Sequence, residues 1–202
     1  MDINTQFLNE RLRVIGTSWD DLQFRSSEII LFGSAACGLA SKSSDVDILC
    51  VGSGETRITD SVDLLWVTAE MIRESPWIGS EIAGHIAEYG KWLKGTGQWV
   101  RNVSLSEDAL NRKRNQVACH IRATMRYWDV FKGVRRQRQL QLIRRQLQRL
   151  IKLATETPVP PSPLLDEEWN LVREKSIPEW GLISAIEPEE IRFLSKELGR
   201  HC

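Results

Sequence analysis

Three aspartates lie close together in a stretch of chain that is otherwise rich in apolar residues. Asp45 and Asp47 belong to a run predicted to form a strand over 45–51, and Asp63 lies in another predicted strand over 61–67. Because side chains alternate along a strand, Asp45 and Asp47 are expected on the same face. Burying unpaired carboxylates is costly, so a cation is needed beside them. Carboxylate oxygens suit Mg²⁺, which typically binds one or two carboxylates together with substrate phosphates.

A glycine and a serine that precede this acidic group have the features of a phosphate site. Gly33 and Ser34 follow a third predicted strand, 28–32, and open a small-residue segment that is long enough for a short helix. A strand that turns into a helix presents backbone N–H groups and a hydroxyl to an anion, and glycine allows close approach. A phosphate site beside a carboxylate pair is an arrangement for metal-assisted phosphoryl or nucleotidyl transfer.

The spacing of these residues resembles that of a known family. The chain from Gly33 reads GSAACGLASKSSDVDILCV, so ten residues separate the Gly-Ser pair from Asp-Val-Asp, and Asp63 follows in a later strand. This pattern resembles the nucleotidyltransferase superfamily that includes DNA polymerase beta. It is most similar to the minimal nucleotidyltransferase branch and to kanamycin nucleotidyltransferase-like proteins, over about residues 28–95. Many relatives carry an arginine three residues after the serine, where this chain has Cys37.

The resemblance implies a role for each of these residues. Asp45 and Asp47 would bind the metal that bridges the nucleotide phosphates, and Asp63 would complete the coordination of a second ion and orient or deprotonate the acceptor. Gly33 and Ser34 would hold the β- and γ-phosphates. Two such ions clamp the attacking and leaving oxygens of an in-line displacement. In the alternative interpretation, Asp45 is a strand-entry or turn residue and Asp47 is merely exposed.

The implied activity is that of a Mg²⁺-dependent nucleotidyltransferase, an enzyme of the EC 2.7.7 type. It would move NMP from an NTP, with ATP as the default, to an RNA end, a protein hydroxyl or a small molecule, and release pyrophosphate. Toxin–antitoxin and resistance systems are the settings that the resemblance suggests. The alternative is a catalytically silent antitoxin or binding module that kept the fold, which the cysteine at position 37 leaves open.

The net charge of zero conceals a strongly basic block. Residues 112–152 carry 13 basic side chains and one acidic one, whereas the flanking segments are acidic. Arginine suits phosphate contacts, so the part of the block over 132–152 predicts contact with an RNA such as tRNA. In the alternative, the arginines pair with the acidic flanks. The residues expected at or near the exposed side are Arg136, Arg144, Arg145, Arg149 and Lys152.

Other residues could take part in binding or catalysis, but a purely structural role explains each of them at least as well. His85 and Tyr89, four residues apart on a predicted helix, would border the nucleotide pocket or be partly buried structural residues. Lys91 and Lys94 would meet phosphates or lie on a solvated helix face. Trp92, Trp99 and Trp128 are expected in the core rather than as stacking surfaces for bases.

Arg114 and His120 form one further motif in the helical half of the chain. Their spacing resembles the R-x(4–6)-H element of HEPN ribonucleases, which often accompany minimal nucleotidyltransferases. Short motifs of this kind match often by chance, and the alternative is an exposed arginine and a helix histidine in one continuous helix.

The pattern of apolar residues predicts an α+β fold, with a small mixed sheet and flanking helices followed by a C-terminal helical bundle. Helices are predicted over 4–15 and from Ser80 to near Gly95. A nucleotidyltransferase catalytic domain is expected over 1–103 and a helical domain over 104–202. The helical domain contains the basic helix and a Pro-rich extended connector at 157–163.

The chain shows no apolar run long enough to span a bilayer and no secretory signal at its N-terminus. Its four cysteines are widely spaced, with no CxxC pair, which disfavours a disulfide framework or a zinc site. These features predict a cytoplasmic protein that acts without a membrane. A homodimer or a complex with a partner protein is a separate expectation, which these features do not address.

Overall fold

The computed structural model describes residues 5–41 and 44–175. These residues form an α+β fold with a mixed five-stranded sheet and flanking helices, which confirms the predicted fold class. The chain divides into two compact units. Among the described residues, the first unit runs through Ser106 and also includes Pro158–Pro163; the second comprises Glu107–Thr157 and Leu164–Lys175. The part of the predicted helical domain after residue 175 lies outside the described residues.

The sheet of the first unit places one strand, β2, at its centre. The strands are β1 Ser26–Phe32, β2 Val46–Gly52, β3 Arg57–Ile58, β4 Val62–Val67 and β5 Lys91–Lys94. Their order is β3-β4-β2-β1-β5; β2 and β4 are parallel, and the other pairs are antiparallel. Most of β2 is buried, which agrees with its run of apolar residues after Asp47.

Helices cover both faces of this sheet. They are α1 Thr5–Val14, α2 Trp19–Arg25, α3 Gly33–Ala36, α4 Ser75–Ile78 and α5 Glu81–Tyr89, with 3₁₀ turns at Met71–Arg73 and Gln98–Asn102. Leu12 and Leu22 of α1 and α2 are buried against one face, and Ile86 of α5 and Trp99 are buried against the other. The sheet is therefore a buried layer, and its strand ends are the places where polar side chains can reach substrate.

The predicted helix from Ser80 to near Gly95 is wrong after Tyr89. Helix α5 ends there, and Gly90 has an extended backbone with φ −73° and ψ 144°. A Cβ on residue 90 would lie 2.5 Å from the carbonyl oxygen of Ile86, so glycine permits this sharp exit. The following residues form β5, which pairs with β1 at the edge of the sheet. The apolar spacing that suggested a longer helix therefore belongs to two elements.

The second unit is built on a helical hairpin. Its helices are α6 Glu107–Arg126, α7 Gly133–Ala154 and α8 Ser162–Lys175, the last of which begins within Pro158–Pro163 of the first unit. Helices α6 and α7 pack against each other, and Val117, Ile121, Ile143 and Leu147 are buried between them. Among the described residues, no helix combines the length and apolarity needed to cross a bilayer.

Residues 157–161 of the Pro-rich connector form no regular secondary structure, and α8 begins at Ser162, inside the predicted connector. Proline is tolerated in the first turn of a helix because its missing N–H would have no partner within the helix. Pro163 therefore does not prevent the helix from starting. Val159, Pro160 and Pro161 are buried, so this connector is a packed part of the first unit.

Candidate active site

Parallel pairing of β2 and β4 brings the three aspartates together. Asp47 lies opposite Asp63 in the register of these strands. Asp45 precedes β2 by one residue, so the predicted start of this strand at 45 was one residue early. Oxygen atoms of Asp45, Asp47 and Asp63 lie within 4.8 Å of one another, and all three residues are half-buried. This is the spacing of a small set of oxygen ligands around one point.

The Asp63 carboxyl is poorly stabilised by the protein around it. Burial, and secondarily the charge of Asp45, raise the pKa of the Asp63 carboxyl, although a backbone hydrogen bond at Thr59 opposes the shift. The Oδ1 atom of Asp63 is buried and has no hydrogen-bond partner among the described residues. A buried carboxylate oxygen without a partner is destabilising, and a hard divalent cation would satisfy it. The residues present therefore fit a magnesium site.

The phosphate-site residues lie directly beside the aspartates. Phe32, the last residue of β1, is paired with Asp47, and Gly33 then begins α3. Gly33 has a left-handed backbone with φ 67°. A Cβ at this position would lie 1.9 Å from Oδ2 of Asp47. Glycine is required here for both reasons, and Ser34 follows at the half-buried start of the helix.

The N–H of Gly33 is already used inside the protein. It donates to Nε2 of His85, at 3.2 Å. The N–H groups that follow it, from Ser34 onward, lie in the first turn of α3 and therefore have no partner within the helix. A phosphate would meet these groups and the Ser34 hydroxyl rather than the Gly33 N–H.

Cys37 ends α3 at the position where many relatives carry arginine. It is half-buried, and burial raises the pKa of its thiol. A neutral thiol brings no positive charge to a bound phosphate. This chain therefore has no cationic side chain at position 37 that could contact a phosphate.

Most of the weaker candidates of the first unit contact other residues of the protein. His85 contacts Tyr89, with ring centroids 5.4 Å apart. The ammonium group of Lys94 donates to the carbonyl oxygens of Gln23 and Ser26, at 2.5 and 2.6 Å, whereas Lys91 is exposed on an edge strand. Lys94 therefore stabilises the junction between α2 and β1.

The three tryptophans named from the sequence are packed or hydrogen-bonded within the protein. Trp92 and Trp99 both donate their indole N–H to Oε2 of Glu28, at 3.3 Å. Trp128 is buried, and Arg136 lies over its ring at 4.6 Å. These residues belong to the core or pack against it, as expected from the sequence.

The side chains of Arg114 and His120 do not form a common site in the structure. Arg114 bonds to Asn111 and pairs with Glu107, one turn or two back along its own helix. Six residues apart on α6, the two side chains point about 120° away from each other. Burial lowers the pKa of His120, and its Nε2 has no hydrogen-bond partner among the described residues. The structural explanation of this motif is favoured.

Several cations of the predicted RNA-contacting helix are engaged within the protein. Arg145 makes a two-pronged contact with Asp166 of α8, including an Nε–Oδ1 bond of 2.9 Å. Lys152 pairs with Glu168, also of α8, at 2.9 Å. Arg136 donates to backbone carbonyls at the turn between α6 and α7. For Arg145 and Lys152, the structure supports the alternative of pairing with an acidic flank. Arg136 is engaged by backbone carbonyls instead.

The charge on Asp63 leads to a prediction about stability. In metal-free solution at neutral pH, we expect Asp63→Asn to raise the melting temperature, because the variant removes a negative charge that burial and Asp45 disfavour. The folded protein holds a proton on Asp63 more tightly than the unfolded chain. The resulting stabilisation of the wild type is complete below the ordinary pKa of 3.8 and is lost as the pH rises through the raised value.

Melting curves of both proteins between pH 4 and 7.5, in chelator and in Mg²⁺, measure this effect. The advantage of the variant should shrink as the pH falls. Mg²⁺ at about 100 times its Kd should stabilise the wild type by about 2.7 kcal/mol and the variant much less. A wild type that is indifferent to Mg²⁺ and to this substitution would contradict the cation site.

The predicted site residues lie within a match to a known protein family. The family model of the nucleotidyltransferase domain matches residues 16–116, which is half of the chain and includes all five predicted site residues. No curated protein matches significantly. The chain is similar to one in a solved structure described as "Crystal structure of the toxin-antitoxin with AMP-PNP", with 19% identity and a TM-score of 0.29, over 63% of this chain and 95% of that one. The family match confirms the resemblance, and the chain belongs to the nucleotidyltransferase domain family.

Proposed function

We propose that this protein is a Mg²⁺-dependent nucleotidyltransferase that transfers NMP from an NTP to an acceptor and releases pyrophosphate. The observation that carries the proposal is the convergence of Asp45, Asp47 and Asp63 within 4.8 Å, with a buried oxygen of Asp63 left without a partner. A silent binding module would have no need to keep three mutually repelling carboxylates together. The intact trio therefore favours the enzyme over the silent alternative.

Each residue of the site has a separate role in the proposed transfer. An acceptor oxygen attacks the α-phosphorus, the bond from that phosphorus to the bridging oxygen breaks, and pyrophosphate leaves with the bonding electrons. Asp63 orients the acceptor hydroxyl and accepts its proton. Ser34 and the first turn of α3 hold the outer phosphates. Asp45, Asp47 and Asp63 would hold divalent cations, which would supply positive charge to offset that of the phosphates.

We propose RNA as the acceptor, on the basis of one exposed surface of the second unit. This surface, which we name the hairpin-end surface, comprises basic residues on the last turns of α6, in the loop and on the first turns of α7. They are Arg122, Arg126, Lys132, Arg135 and Arg138. All five are exposed, and none is paired with a carboxylate among the described residues. Asp129 is the only acidic residue between positions 112 and 152.

The hairpin-end surface also offers an aromatic side chain. Tyr127 is 51% exposed in the loop between the two helices. An exposed aromatic ring among cations is suited to unpaired bases, which stack on it while the cations contact the phosphates. The proposed RNA contact therefore moves from the middle of α7, where Arg145 and Lys152 pair internally, to the end of the hairpin.

The proposed function is tested by incubating the protein with each of the four α-³²P-labelled NTPs, Mg²⁺ and an RNA oligonucleotide, beginning with ATP. We expect label to move to the RNA and unlabelled pyrophosphate to be released, with no transfer in EDTA. Parallel reactions with the protein alone and with small hydroxyl compounds identify another acceptor if RNA is not used. If nucleotide binds but no acceptor is labelled and no pyrophosphate appears, the silent-module alternative replaces this proposal.

A further inference from the structure

His85 makes a specific hydrogen bond on each side of its ring. Nε2 accepts from the N–H of Gly33, at 3.2 Å, and Nδ1 lies 2.7 Å from the carbonyl oxygen of Val159. The ring is half-buried, and it also makes edge contact with Phe32 at 6.2 Å between centroids. This histidine therefore connects the first residue of α3 to the buried connector, which lies 74 residues further along the chain.

The two partners define which nitrogen carries the proton. A backbone N–H can only donate, so Nε2 must accept and has no hydrogen of its own. A carbonyl oxygen can only accept, so Nδ1 must donate to Val159. Both bonds are satisfied by the neutral ring with its proton on Nδ1, and the carbonyl of Val159 is the group that selects this form.

The hydrogen bond between His85 and Gly33 affects the proposed site because Gly33 is closely packed against Asp47. The Gly33 Cα lies so near Asp47 that a Cβ on it would be 1.9 Å from Oδ2. Gly33 also sets the direction of α3 and hence the position of Ser34. If the peptide before Gly33 turned, both the phosphate-binding turn and the neighbouring carboxylate would move.

We propose that His85 is a positioning residue for the nucleotide site, and that Val159 of the connector holds it in its working form. The proposal rests on the proposed function, because the groups that His85 positions are the ones assigned there to phosphate and metal. Nε2 fixes the Gly33 peptide, and the Nδ1–Val159 bond fixes the ring. The connector thus contributes to the site without supplying a side chain to it.

Three substitutions at position 85 separate positioning from stability. His85→Gln places an amide oxygen near the position of Nε2 and can still accept from Gly33. His85→Asn places its amide nitrogen near Nδ1 and can donate to Val159, but it does not reach Gly33. His85→Ala removes both bonds. His120→Gln makes the same chemical change at the half-buried histidine of α6 and is the matched control.

We expect the Ala and Asn variants to lose about 10- to 100-fold in kcat for NMP transfer with Mg²⁺-ATP, with a smaller change in KM, since a displacement of about 1 Å can cost that much. The Gln variant should remain within about fivefold of the wild type. A purely structural role would instead make activity follow melting temperature, with Asn and Gln alike. The His120→Gln control should keep wild-type kcat.

The amide resonance of Gly33 in ¹H–¹⁵N spectra provides a readout that does not depend on activity. It should shift strongly in the Ala and Asn variants and remain near its wild-type position in the Gln variant. An unmoved Gly33 resonance in a folded His85→Ala protein, or equal kcat in the Asn and Gln variants, overturns the proposal. If the wild type transfers no NMP, the proposed function fails, and the Gly33 resonance still decides whether His85 holds this peptide.

Discussion

Asp47→Asn should lower NMP transfer by about 10³-fold or more while leaving the protein folded. Asparagine keeps the shape of the side chain but removes the negative charge that would bind a divalent cation. Asp47 faces Asp63 across the parallel strand pair and lies against Gly33, so it is the central member of the trio. A loss of 10³-fold corresponds to about 4 kcal/mol of transition-state stabilisation, which is within what a metal ion supplies.

The matched control for this substitution is Asp60→Asn. Asp60 is an exposed aspartate in the turn before β4 and is not part of the acidic trio. Transfer of label from α-³²P-labelled ATP, with Mg²⁺ varied over a wide range, should be normal in the control and absent in the Asp47 variant. Melting curves confirm that both are folded. Near-normal turnover of the Asp47 variant with unchanged Mg²⁺ dependence would mean that the site is elsewhere.

The aspartates could be predicted because their signal is local. A carboxylate in an apolar strand is conspicuous, and the alternation of side chains places Asp45 and Asp47 on one side. Strand pairing then needs only to set Asp63 beside Asp47, which the parallel register of β2 and β4 does. The exact start of β2 could not be predicted, since one residue more or less of strand changes little in the sequence pattern.

Other features depend on contacts that no local pattern records. The bond between His85 and Val159 joins a helix to a proline-rich connector, and a backbone carbonyl has no sequence signature. The exit at Gly90 divides a helix from a strand, although the apolar residues on both sides fit one helical period. The start of α2, in contrast, has a local sequence signal, because Ser18 and Asp21 form a capping box there.

The basic block shows the limit of counting charge. Its composition predicted a cationic helix correctly, but composition does not say which cations meet an acidic partner in the same protein. Asp166 and Glu168 lie two residues apart in α8 and engage Arg145 and Lys152. Pairing of this kind depends on tertiary packing between helices. Only the structure could therefore show that the basic residues of the hairpin-end surface have no carboxylate partner among the described residues.

Neutralising the hairpin-end surface should have the largest effect on RNA binding. We expect the triple variant Arg126→Gln, Lys132→Gln and Arg135→Gln to reduce the salt slope of binding by about 2–3 units, because each lost phosphate contact removes about 0.7–0.9. At 0.1 M salt, that change amounts to a loss of about 10²- to 10³-fold in affinity. Nucleotide binding should barely change, because Asp45 and Asp47 belong to the other unit.

The comparison that makes this prediction specific is a second triple variant with the same loss of charge. Arg144, Arg145 and Arg149 lie near the middle and end of α7 and are half-buried. Replacing all three with Gln removes the contact between Arg145 and Asp166. This variant should therefore melt at a lower temperature than the wild type and bind RNA with nearly the wild-type salt slope. Net charge alone would make the two variants behave alike.

Fluorescence anisotropy with a 5′-labelled single-stranded RNA oligonucleotide, titrated at several salt concentrations, measures both slopes. Each titration is paired with a melting curve, so that weak binding by an unfolded variant is recognised. A steep loss confined to the hairpin-end variant supports the surface as the RNA contact, since local charge rather than total charge then governs binding. Equal slopes for both variants, or unchanged affinity in a folded hairpin-end variant, would exclude this surface and return the acceptor to a small molecule or a protein hydroxyl.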